Sequence, residues 1–192
     1  MSASISICNQ ALSLVGADHI TSIDDGTNEA RQCKVHYDAC LRKILMEREW
    51  TFATARRELA EVSEAPTFGY TKAFGLPGDC ILVRSASDRT GYEYRDWVVE
   101  GRKISLNADT CFIVYTKMEY DATKYPGPFE AALVHLLASR LSISIPNSRG
   151  LSQDHYTLYQ MELREASGLD GKQGSPTAIG NRNSKLISAR YR

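Results

Sequence analysis

Apolar residues recur at helical spacing at both ends of this chain and at strand spacing in its middle. That order limits the fold more than any single motif. In residues 28–48, Ala30, Cys33, Tyr37, Cys40, Leu41, Ile44 and Leu45 form one stripe, which predicts a long amphipathic helix. Asp25, Thr27 or Asn28 can cap it, and Glu29 suits the positive end of its dipole. A shorter helix is predicted over 4–15 from Ile5, Cys8, Leu12 and Val15, with Gly16 as its stop. Trp50-Thr51-Phe52-Ala53 closes the long helix with two aromatics two apart, the spacing of extended chain.

From Pro66 to about Tyr120 the pattern is that of short strands. Residues 70–74 precede a Leu76-Pro77-Gly78-Asp79 turn, and 80–84, 92–99, 102–106 and 111–117 follow as strand candidates. Glu100-Gly101 suits a two-residue hairpin turn. Helical spacing returns after Tyr125-Pro126-Gly127-Pro128. Phe129, Ala132, Leu133, Leu136 and Ile143 take one side, and His135 the polar side. A last helix is predicted over 151–166, with Leu151, His155, Leu158, Tyr159 and Leu163 inward and Gly168 as its end. Terminal helices must pack on one another to bury their stripes, so the strands read as an insertion. The expectation is an α+β chain. A bundle of about four helices takes 1–65 and 121–170, a small antiparallel β domain takes 66–120, and an extended basic arm takes 171–192.

The arm differs sharply in charge. Lys172, Arg182, Lys185, Arg190 and Arg192 meet no acidic residue there, whereas residues 1–170 carry 18 Lys and Arg against 23 Asp and Glu. The neutral total therefore hides a body of net charge −5 and an arm of +5. Rich in Gly, Ser and Asn, the arm cannot bury enough surface to order itself. Ile179, Leu186, Ile187 and Tyr191 are sparse apolar anchors, alternating as in an added strand (Ile187, Ala189, Tyr191) or sharing a helix face (Ile187, Tyr191). Extended, 22 residues reach roughly 70 Å, so the arm suits docking on a protein partner.

Catalytic and metal chemistry is not expected. Cys33, His36 and Cys40 share part of a helix surface, but both cysteines sit in the apolar stripe with no fourth ligand near in sequence, so burial outweighs zinc binding. The acids Asp24-Asp25 precede a helix, where capping accounts for them. No G-x-S-x-G elbow, phosphate loop or dinucleotide fingerprint is present. Tyr92, Tyr94 and Trp97 beside Arg89 and Arg95 resemble a stacking surface for single-stranded nucleic acid, but Glu93, Asp96 and Glu100 cancel the charge. The five dispersed cysteines suit reduced core residues of a cytoplasmically made protein. No secretory signal, membrane span or cofactor is expected.

An ordered series of motifs resembles the tail tubular protein A family, the head-to-tail adaptors of short-tailed bacteriophages. It comprises Leu14-Val15-Gly16; Asn28-Glu29-Ala30-Arg31 opening a helix that closes on Trp50-Thr51-Phe52-Ala53; Tyr70 through Leu76-Pro77-Gly78-Asp79-Cys80; Val99-Glu100-Gly101 with Ile104; Tyr115; and a Pro-rich approach to Phe129. The match spans residues 3 to 168. Trp50, Phe52, Leu76, Pro77 and Phe129 carry it most visibly. The resemblance implies a helical bundle with an inserted β domain. It implies a ring, commonly of twelve copies, between the portal protein and a nozzle like tail tubular protein B, with tail fibres as further partners. DNA passes through its lumen without sequence-specific binding. The protein would be assembled in the host cytoplasm and reside in the neck of the virion. In such adaptors a C-terminal arm reaches into the portal. Here that role falls on 171–192 by charge and composition. Two other readings compete: a nucleic-acid-binding module using the arm and the Tyr/Trp strand, and a phage-borne hydrolase.

Overall fold

The structure, a computed structural model, describes residues 3–64 and 66–170. These form four helices and two small antiparallel sheets, a mixed α+β architecture. Helices α1 (Ala3–Leu14) and α2 (Asn28–Glu47) precede the strands; α3 (Gly127–Ser144) and α4 (Arg149–Asp170) follow them. Thr27 proves to be the cap of α2, its hydroxyl accepting from the Ala30 N–H at 3.2 Å. The stripe of α2 is buried in full.

Helix α3 is the centre of the bundle. It packs on α1, α2 and α4 and buries residues around its circumference, among them Phe129, Val134, Leu137 and Leu141. Its near-uniform apolar composition is what allows this. Ile143, expected inside, is exposed. The turn into α4 places Asn147 at φ 51°, a left-handed conformation that Asn tolerates better than most residues. Helix α4 runs past Gly168 to Asp170, so Gly168 does not end it; and Leu158, expected inward, is exposed.

Strand structure begins at Thr54, inside the stretch expected to be helical bundle. Strand β1 (Thr54–Leu59) pairs with β6 (Cys111–Lys117), which also pairs with β3 (Cys80–Ser87). Strands β2 (Lys72–Gly75) and β4 (Trp97–Glu100) flank β5 (Lys103–Leu106) in the second sheet. Phe74, Ile104 and Leu106 of one sheet share a core with Leu59, Ala86, Cys111 and Ile113 of the other. The β4–β5 hairpin turns on Gly101-Arg102, one residue later than expected, since Glu100 pairs with Lys103 and Gly101 has φ 59°. Tyr92 and Tyr94 are not in a strand. Residues 88–92 form a turn on Asp88, whose carboxylate accepts from the Thr90 N–H and hydroxyl and the Tyr92 N–H.

Candidate functional site

Three of the motif residues meet. Trp50 and Phe129, both fully buried, stand edge to face with ring centres 4.9 Å apart; Phe52 packs on Phe129 at 4.8 Å. Tyr125, which sequence reasoning did not single out, completes the cluster 5.0 Å from Phe129 and 5.6 Å from Phe52. Edge-to-face rings at these distances add to simple burial. The cluster sits where the chain leaves α2 for β1 and where it returns into α3, so within the helical core it pins the two chain crossings together. The Trp50 indole N–H donates to the Ile44 carbonyl at 2.9 Å, and the Tyr125 hydroxyl donates to the Glu119 carbonyl at 2.6 Å.

Arg84 braces the same junction. The register of β3 against β6 shifts between Val83 and Ser85, and a bulge of this kind re-aims a side chain. Arg84 Nε donates to Thr116 Oγ1 at 2.9 Å and Nη1 to Thr54 Oγ1 at 2.7 Å. Nη2 reaches the Trp50 carbonyl at 3.4 Å, which also accepts from Thr54 Oγ1 at 2.6 Å. Desolvation lowers the Arg84 pKa, opposed by Glu49 and Asp170. Asp170, the last residue of α4, is buried; its Oδ2 accepts from Thr51 N–H at 2.8 Å and Thr51 Oγ1 at 3.0 Å. A carboxylate at a helix C-terminus opposes the dipole, and these two bonds account for its place. They also tie the last turn of α4 to Thr51, between Trp50 and Phe52.

Leu76 and Pro77 lie elsewhere, in the β2–β3 turn. Arg102 holds that turn by donating to the Pro77 carbonyl and, at 3.0 Å, to the Cys80 carbonyl. Lys172, Ile179, Arg182, Lys185, Leu186, Ile187, Arg190, Tyr191 and Arg192 lie outside the described residues.

All five cysteines are free and buried. Burial pushes the Cys40 and Cys111 thiols up to about 11, and the hydrogen bond with Cys33, then burial, raises Cys8. A raised thiol of this kind is inert at neutral pH, whereas the hydrogen bond with Cys8 lowers buried Cys33. Among the described residues no three His, Cys, Asp or Glu side chains are placed to hold a metal, and no helix is long and apolar enough to cross a membrane. Ser13 Oγ stands 2.6 Å from His19 Nε2 at the exposed end of α1, a contact the sequence reading missed. No carboxylate bonded to His19 appears among the described hydrogen bonds, so the pair lacks the orienting third group of a triad. Tyr94 and Trp97 pack against the β core, with the Tyr94 hydroxyl donating to the Thr110 carbonyl at 3.2 Å; only Tyr92 of the aromatic trio is free for stacking.

His135 and His155 meet between α3 and α4, Nδ1 to Nδ1 at 3.3 Å with stacked rings. Burial and then His155 lower the His135 pKa, opposed by Glu162. Burial and Arg140 lower that of His36. Both groups therefore bind protons more readily in the unfolded chain, so their contribution to stability is present above about pH 6.5 and falls as the pH drops through their lowered folded values. Carboxylates such as Asp25 and Asp121, held low by hydrogen bonds, act only below about pH 4. The thermal midpoint is expected to fall between pH 7.5 and 5.5, and His135→Gln to flatten that slope. An unchanged slope in the variant would show that His135 does not titrate with folding.

No protein-family model matches the chain, and no curated protein matches it.

Proposed function

We propose that this protein is the head-to-tail adaptor of a short-tailed bacteriophage. Copies form a ring, of twelve by analogy with the family it resembles, between the portal and the tail nozzle, around the DNA channel. The observation that carries this reading is the ordered motif series from Leu14-Val15-Gly16 to Phe129. The α+β architecture agrees with what that resemblance implies. Motif residues Trp50, Phe52 and Phe129 also meet, in the helical core where the chain leaves for the strands and returns.

The charge division supports the same reading. A body of net charge −5 would not retain passing duplex, and an arm of +5 with Ile179, Leu186, Ile187 and Tyr191 suits a protein groove. A heterologous contact that closes makes a ring without catalytic groups. On this reading the protein is not an enzyme, is assembled in the host cytoplasm and resides in the virion neck, with the nozzle and tail fibres as further partners.

The test is the mass of the purified chain alone and mixed with portal rings. A stable portal complex is expected; failure to bind portal in any state would refute the proposal. A DNA titration at two salt concentrations separates the competing reading. Tight, steeply salt-dependent binding that is lost with the arm would favour a nucleic-acid module.

A further inference from the structure

Two helices each carry an apolar stripe exposed among the described residues. On α2, Val35 is 67% exposed and Met46 47%, with exposed Ala39 between them. On α4, Met161 is 60% exposed, and Leu158 and Leu169 also face solvent. At 100° per residue, positions 35, 39, 42 and 46 share one face of α2, and 158, 161, 165 and 169 share one face of α4. Val35 to Met46 and Leu158 to Leu169 each span eleven residues, so each stripe is roughly 16 Å long.

The net charges along the two stripes are of opposite sign. Arg31 and Arg42 lie along the α2 stripe with one acid, Asp38. Asp154 and Glu165 lie along the α4 stripe, with Glu162 at its edge. None of these six makes an ion pair among the described residues. Within one chain the stripes cannot meet. Helix α2 joins α4 through other residues: Glu47 accepts from the Tyr159 hydroxyl at 2.5 Å, and Lys43 lies over the Tyr156 and Tyr159 rings. Tyr156 is about 160° around α4 from Leu158, so the α4 stripe lies on the flank away from α2.

We infer that the α2 stripe of one copy packs on the α4 stripe of the next. Equal length, exposed apolar residues and complementary net charge along the stripes specify a second copy of this chain as the occupant. Because the two faces differ and lie on different flanks, the contact is head-to-tail and propagates until it closes. It deepens the adaptor reading by naming the faces that would build the ring. A single helix–helix contact falls at the small end of specific interfaces, so free subunits associate weakly and high protein concentration is needed to see it.

The test is sedimentation of the full chain over a wide concentration range, with two double variants at exposed positions. Val35→Glu with Met46→Glu places acids against the acidic α4 border. Leu158→Gln with Met161→Gln removes the apolar centre of the other face. Each alone is expected to lose self-association by about tenfold or more in its constant, with the thermal midpoint unchanged. Mixed, the two variants are expected to form one-to-one dimers that grow no further, since each retains one intact face. A wild-type chain that stays monomeric throughout, a variant that associates like wild type, or a mixture that does not pair would each overturn the inference. This test uses no portal, so failure of portal docking and failure of this contact are separate results.

Discussion

Trp50→Ala is expected to cost about 3–5 kcal/mol of folding stability, the range for emptying a large aromatic from a core. Trp50 is fully buried, touches Phe52 and Phe129, and donates to the Ile44 carbonyl. Alanine removes the ring contacts, opens a cavity and leaves that buried carbonyl without its donor. For a chain of this size the midpoint should drop by about 6–20 °C. Total stabilities are commonly about 5–15 kcal/mol, so the variant could fail to fold. Trp50→Phe keeps a ring against Phe129 and should lose about 1–3 kcal/mol. Denaturant unfolding followed by circular dichroism gives both values. A Trp50→Ala loss below about 1 kcal/mol would mean that the cluster does not hold the junction.

Arg84→Ala is expected to cost about 2–4 kcal/mol, from charge-assisted bonds of about 1.5–3 kcal/mol each, partly replaced by water. The guanidinium links Thr54 of β1, Thr116 of β6 and the Trp50 carbonyl. Thr116 is wholly buried, so its hydroxyl has little access to a substitute. Arg84→Lys should recover little, because one ammonium cannot match a fork of donors. Equal stabilities of Arg84→Lys and wild type would refute the bracing role.

Helix α2 was legible in the sequence because its stripe and cap lie within one continuous segment. The aromatic cluster was legible only in part. Trp50 and Phe52 marked the end of α2, and Phe129 the start of α3, but the residues are more than 75 apart and nothing local says that they touch. Strand β1 was missed because Thr-Ala-Arg-Arg-Glu-Leu is the pattern of an exposed edge. Arg56, Arg57 and Glu58 face solvent, and of this strand only Leu59 is buried. The strand expected at 92–99 shrank to Trp97–Glu100 because Asp88 organises a turn through backbone donors. Ile143 and Leu158 fit helical periodicity yet face outward, since periodicity gives a stripe but not which of its members a neighbour covers. Arg84 and Asp170 carried no sequence signal, as their partners lie in other elements.

On the proposed reading, the body builds a ring and the arm holds the portal. The most direct measurement is sedimentation of portal rings with the full chain and, in parallel, with residues 1–170, which contain every described element. The full chain is expected to travel with the portal, and the shortened chain to keep its midpoint but stay behind. Equal binding by both would contradict the role given to Lys172, Arg182, Lys185 and the rest of the arm, and binding by neither would contradict the adaptor function itself.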